Sequence, residues 1–475
     1  MSSQVCLSVF IGRLKLKKLY FLVSLLLLGA SSAASAGGHG GDVEALRAEI
    51  AAMKAAHEER ILMLEAKLEE VVVAKAAEGS RAAASDSDVA VTYAPKRPAT
   101  NSRQVKKNLF NPSIGLVFNG VYTQHETAEG EIAGFAVGHE GERGGEGFAI
   151  DHTELNFSST VDDKFFASLT AAIVKHEGKT EIELEEAFIQ SMPGLGLPTG
   201  ASLKAGRFLA TIGYMNEHHT HTDDFTDRSL PYRVFLDGGY NDDGLQASYV
   251  LPTDFYAEVG GGMFRGDDYP FGGSDGEGID AWTAYARVGG DIGEKQSWRL
   301  GGSVLSGKST TGRESNHEKV SFLGETDLYI LDGRYTWAPT GNSTSQEFAL
   351  QGEFFWRTED GLYSDTETSA SNVLMDDNSQ GWYLQGTYKF ARNWRFGARY
   401  SELDAANVPT GLAGSHLDGD GYDPKAYSAM FDWTNSEFSR VRFQYNREEL
   451  AKGQDDDQFM LQYIMSIGAH AAHKY

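Results

Sequence analysis

The stretch Gln458–Tyr475, "QFMLQYIMSIGAHAAHKY", decides the fold: Phe459, Leu461, Tyr463, Met465, Ile467, Ala469 and Ala471 occupy alternate positions and form one apolar face. A period of two is the spacing of a β-strand. A strand with one uniformly apolar face and one polar face suits a wall with lipid on one side and water on the other.

The same texture extends back to Asn108. Long helical periodicity is absent there, and short alternating segments gather Gly, Tyr, Phe and Trp, as in "SIGLVFNGVYTQ", "TELNFSSTV", "YAEVGGGMFRG" and "WRLGGSVLSG". Sixteen strands are predicted, at residues 113-124, 150-161, 164-175, 181-191, 201-208, 244-251, 255-265, 280-289, 297-306, 325-337, 346-357, 381-390, 394-402, 426-434, 437-447 and 458-470. Their connections alternate in length. Short ones include "DD" (Asp162, Asp163), "PTD" (Pro252–Asp254) and "ARN" (Ala391–Asn393), and long ones include 125-149, 209-243, 307-324, 358-380 and 403-425. Sixteen strands give eight external loops and seven turns, with both barrel ends on one side. The predicted fold is an all-β transmembrane barrel of about sixteen antiparallel strands over residues 108-475, placed in the bacterial outer membrane. Overall hydrophobicity of 41% is compatible with this, because half of each strand faces water.

The region before the barrel reads as three segments. Arg13, Lys15, Lys17 and Lys18 precede the apolar run Leu19–Leu28, and "ASA" (Ala34–Ala36) offers a cleavage site, so residues 1-36 are expected to be a signal peptide. Cys6, the one cysteine, lies inside it. Cleavage would remove four basic residues and shift the formal net charge from -25 to -29, an acidity that disfavours nucleic acid and favours cations. Within 37-78, Leu46, Ile50, Met53, His57, Ile61, Leu64, Leu68 and Val71 form a narrow helical seam with a stutter at His57. This is expected to be a periplasmic coiled coil that makes the protein a homo-oligomer. Residues 79-107 read as a linker.

The third external loop contains "YMNEHHTHTDDFTDRSLPYR" (Tyr214–Arg233). Opposed charges there would set selectivity if the loop folds inward, and Glu217, Asp224, Asp227, Arg228 and Arg233 are the candidate constriction residues. On an extended backbone His219, His221 and Asp223 would point to one side. With His218 they make a candidate site for transient binding of zinc or another borderline divalent cation, and no obligatory cofactor is expected. "DGDGYD" (Asp418–Asp423) begins like an EF-hand loop but lacks the distal acidic ligands, which excludes that motif.

The segments Lys204–Gly239 and Asn241–Gly266, with the ending "GAHAAHKY", resemble a group of bacterial porin-like outer-membrane proteins with a periplasmic coiled coil, some described as zinc-regulated or TonB-dependent-receptor-like. The terminal Tyr475 on the apolar register also resembles the assembly signal of outer-membrane barrels. The resemblance implies transport of small solutes or metal ions across the outer membrane. An energised receptor would need a plug domain of over ~100 residues in a larger barrel, so a porin is the expected function. A plugless receptor or adhesin acting through long loops is the alternative. No serine-histidine pair of a barrel lipase is assignable, so no enzyme is expected.

Overall fold

In a computed structural model of the chain, the described residues are 112–468 apart from 128–129, 151, 177–178, 273–277 and 437. The expected signal peptide, coiled coil and linker, and residues 469–475 of the ending, lie outside the described residues.

The strands are β1 (Ser113–His125), β2 (Gly147–Ile150), β3 (Thr153–Thr160), β4 (Phe165–His176), β5 (Lys179–Ser191), β6 (Ala201–Leu209), β7 (Asn241–Val250), β8 (Tyr256–Phe264), β9 (Ala281–Ile292), β10 (Gln296–Ser315), β11 (Val320–Trp337), β12 (Glu347–Asp365), β13 (Ala370–Ala391), β14 (Trp394–Asp404), β15 (Lys425–Ser436), β16 (Ser439–Ala451) and β17 (Gln454–Gly468). Each pairs antiparallel with its neighbours in sequence, and β1 closes the ring on β17 from Gly115 opposite Gly468 to His125 opposite Gln458. Strands β2 and β3 both pair with β1 and form one stave, interrupted where His152 takes a positive φ of 40°. The barrel therefore has sixteen staves, and every predicted strand corresponds to one of them. Closure matters physically, because an open edge in hydrocarbon would leave backbone donors and acceptors without partners. Among the described residues no helix is long and apolar enough to cross a membrane.

Side-chain burial is inverted relative to a water-soluble protein. Phe443 and Leu331 on the outer surface are 60% and 65% exposed, while Arg442 and Asp432 on the inner surface are 1% and 0% exposed. Outward-facing Trp337, Trp394 and Trp433 lie near the rim that carries both barrel ends, here the terminal rim. Trp282, Trp356 and Trp382 lie nearer the opposite, loop-bearing rim. Trp382 and residue 391, which pairs with Trp394, stand on the same strand β13. Their separation is about 30 Å along the strand, or roughly 23 Å along the axis of a barrel whose strands tilt by ~40°, close to the height of an apolar membrane band.

Two of the expected long loops are corrected. Residues 307-324 and 358-380 are mostly strand: β10 and β11 run on to a turn at 316–319, and β12 and β13 to a turn at 366–369. These extensions rise beyond the apolar band, and outward residues such as Thr358, Asp360 and Ser364 are polar, with the cross-strand leucines Leu323, Leu362 and Leu374 as an isolated apolar group. The period-two apolar signal disappears there although the hydrogen-bond ladder continues.

A charge on the outer surface at mid-height should be costly. Leu384→Arg is expected to destabilise the barrel by about 2–4 kcal/mol in lipid vesicles, by denaturant titration. Leu374→Arg, on the β12–β13 extension, should change stability by less than about 0.5 kcal/mol.

Candidate functional site

The third loop (residues 210–240) joins β6 to β7 and is a compact body of its own. Its neck is tied by the Ala210 amide donating to the Tyr240 carbonyl at 3.1 Å. Asn216, fully buried, donates to both the Ala210 and Tyr240 carbonyls at 2.9 Å and accepts the Tyr240 amide at 2.7 Å. Arg228 donates to the Asp223 carboxylate at 3.0 Å and to the carbonyls of Met215, His218 and Gly238. A short helix, α1 (Leu230–Leu236), starts with Pro231 in its first turn and ends at Asp237 in the left-handed region, and all seven of its residues are buried.

This body crosses the lumen. Gly213, at φ 60°, turns the chain off β6 against Glu353 of β12, where a Cβ would collide with the carboxylate. Glu353 accepts the Tyr214 and Met215 amides at 3.0 and 3.1 Å and the hydroxyls of Tyr232 and Tyr383 at 3.1 and 2.6 Å. Glu217 pairs with Arg287 of β9 at 2.5 Å and Arg299 of β10 at 3.0 Å. Asp224 pairs with Arg395 of β14, and with Arg334 of β11 at 3.8 Å. Asp227 accepts from Arg399 of β14 at 2.7 Å and from Asn446 of β16 at 3.0 Å. On β16, Arg440 and Arg442 donate to the carbonyls of His221 and Asp223 at 2.8 and 2.9 Å.

Nearer the loop rim the filling is apolar. Ile132, Phe135 and Val137 of the first loop and Phe271 of the fourth pack with Leu230, Tyr232 and Phe235 of the third loop against Phe355, Leu403 and Leu450 of the wall. Away from this core some wall groups that meet the third loop keep water contact, as with the Arg299 and Arg334 side chains at 23% exposure each, whereas Arg399 and Arg442 are buried. The lumen is thus packed with apolar side chains on the loop side and with charged pairs, some of them in contact with water, below them.

The predicted site residues separate into groups. Glu217, Asp224 and Asp227 face the wall in direct ion pairs with its arginines. Arg228 is instead an internal brace of the loop, and Arg233 ties it to Glu448 of β16 at 2.8 Å and to the Gly141 carbonyl of the first loop at 2.8 Å. The four expected metal ligands do not meet as one set. Residues 220–222 form a single 3₁₀ turn rather than an extended run, which breaks the alternation that would align Asp223 with the histidines. His218 bonds to the Tyr214 carbonyl at 3.0 Å and stacks on that ring, and Asp223 is held by Arg228. His219 and His221 do meet, with stacked rings 5.9 Å apart. Their partners are wall carboxylates that sequence reasoning missed. His219 Nδ1 lies 3.0 Å from Glu185 and 3.5 Å from Glu154, its Nε2 lies 3.1 Å from Glu186, and His221 Nδ1 lies 2.7 Å from Glu154. The wall arginines were missed too, although Arg440, Arg442, Gln444, Asn446 and Glu448 alternate with Val441, Phe443 and Tyr445 in plain view.

No family model matches the chain. A protein of Aquifex aeolicus (strain VF5), described as uncharacterized, is 27% identical over 394 residues, spanning 77% of this chain and 80% of its own length. Similar solved structures include the outer membrane channel DcaP of Acinetobacter baumannii, 12% identical, covering 75% of this chain and 96% of its own, with a TM-score of 0.48. An anion-selective porin from Comamonas acidovorans is 10% identical, covers 75% of this chain and 99% of its own, and scores 0.47. A loop-deletion mutant of OmpT from Vibrio cholerae is 12% identical with the same coverages and scores 0.47. The strand count and loop contacts above rest on this chain's own hydrogen bonds.

Asp237 offers a pH handle where the first and third loops meet, with its carboxylate accepting the Gly141 amide. Burial pushes its carboxyl up to about 7; the Gly141 amide opposes the rise and the Glu140 carboxylate adds to it. The folded state therefore holds this proton more tightly than the unfolded chain. Its stabilising contribution is complete below about pH 4 and declines as pH rises through about 7. Asp237→Asn should remove that decline, read as the change in thermal unfolding temperature across the interval.

Proposed function

We propose that the protein is an outer-membrane channel of the porin kind whose third loop both closes and selects the path. The observation that carries this reading is the loop's crossing of the lumen, with Glu217, Asp224 and Asp227 seated on arginines of β9, β10, β11 and β14. A solute passing this level meets carboxylates on one side and guanidiniums on the other, a transverse field that orients polar molecules and rejects apolar ones. Small solutes are the cargo, and the acidic balance of the chain favours cations.

The seat of the loop is electrostatic, so its strength follows from burial. Leaving one member of a buried pair without its partner costs about 3–5 kcal/mol. That is comparable to the few kcal/mol that separate two populated conformations of a gate. Solute or applied potential that competes for the arginines would open the path by loosening this seat.

A second reading is favoured by the apolar core on the loop side. Ile132, Phe135, Phe235 and Phe271 pack together there, each at 0–1% exposure, which suits a receptor that uses the barrel only as an anchor. Planar-bilayer recording separates the two. The channel reading expects discrete steps with a cation-selective reversal potential, and a higher open fraction in Asp224→Asn/Asp227→Asn, which weakens the seat. A folded barrel that stays silent in both forms, at all potentials, would leave the receptor.

A further inference from the structure

We propose that His219 and His221 of the third loop, with Glu154 of β3 and Glu185 of β5, bind one borderline divalent cation such as zinc, and that this ion bolts the loop to the wall. An oxygen of Glu154, an oxygen of Glu185 and a nitrogen of His219 already lie within 4.8 Å of one another. His221 reaches the other oxygen of Glu154. Two imidazole nitrogens and two carboxylates are the donor set that a tetrahedral zinc site takes, and the nitrogens argue against calcium or magnesium.

Three independent features point to an ion here rather than to an incidental polar cluster. The first is a β-bulge. Between β4 and β5 the register slips so that Thr170 faces Glu186 while Ala171 faces Leu184, leaving Glu185 unopposed. Without the slip, consecutive residues would point to opposite faces; with it, Glu185 and Glu186 both reach His219. Bulges re-aim side chains in this way beside functional sites. The second is the role left to Glu186. Were His219 Nδ1 to hold the ion, its Nε2 hydrogen would donate to Glu186, at 3.1 Å, the outer-sphere carboxylate that orients a metal-bound histidine.

Charge balance is the third. Among the described residues the only permanent cation within 4 Å of the three carboxylates is Lys204, 3.5 Å from Glu186. Three carboxylates thus converge with little permanent positive charge beside them, a setting that a bound cation would favour. The His219 side chain is 22% exposed, so an ion can reach the site from the lumen.

The consequence for gating rests on the channel reading; the binding itself does not. Zinc uptake by the full-length protein, purified in detergent, should be measured by calorimetry and by the absorption of bound cobalt(II). One ion per chain is expected. His219→Ala should weaken binding at least a hundredfold, Glu185→Gln should weaken it while keeping the side-chain shape, and Glu186→Gln should weaken it about 10–100-fold. His416→Ala serves as the control, since His416 faces Asp365 and Glu131 at 2.8 and 3.0 Å in a separate loop cluster; it should bind as the unaltered protein does. Folded protein that takes up no zinc overturns the site, as does unchanged affinity in both His219→Ala and Glu185→Gln. Zinc uptake by a barrel that never conducts would keep the site and remove the channel. Conduction without zinc uptake would do the reverse.

Discussion

The structure depends on how a closed barrel in hydrocarbon treats its interior. Closing sixteen staves pairs each with a neighbour on both sides and turns the apolar side chains outward, and it leaves a lumen that must be filled or wet. Here the filling comes from the chain itself. Carboxylates of the third loop sit on arginines of the wall, and each member of these pairs is tolerable away from bulk water only because the other is there. Remove the loop and at least five guanidiniums lose partners; remove the arginines and the loop has no seat. Wall and loop therefore form one electrostatic unit.

That junction divides the lumen into two unlike halves. On the loop side, apolar residues from the first, third and fourth loops pack as a small core of the ordinary kind. Below this core the contacts are charged and partly hydrated. An apolar core closes a path without specificity, whereas paired charges can exchange partners with a passing solute. On the proposed channel reading, selection would fall to the charged level.

The barrel was legible because lipid leaves a simple mark on sequence. Outward residues of β17 such as Phe459 and Ile467 are apolar at every second position, and all sixteen staves follow from that rhythm. Where the wall leaves the apolar band the mark vanishes, so the extensions of β10 to β13 read as loops. The site was half legible. Acidic residues of the third loop stand together in sequence and were found. Their partners lie on six different strands, β9, β10, β11, β13, β14 and β16, each contributing one or two polar residues to an otherwise ordinary alternation, and only the fold brings them together. Glu185 was beyond reach for another reason, since its lumenal position comes from a register slip that no local pattern announces. Arg228 was misassigned because charge alone does not distinguish a side chain that faces the pore from one that braces the loop from within.

The third loop buries the part of β14 on which it sits. Ser401 on β14 faces inward at 1% exposure, and a cysteine there is close to it in size. Labelling of Ser401→Cys by a charged maleimide, in folded protein lacking Cys6, tests the claim most directly. The account predicts resistance to label with the loop intact and rapid reaction once residues 214–236 are replaced by a short glycine-serine linker. Labelling of the intact form as fast as the unfolded chain would contradict it.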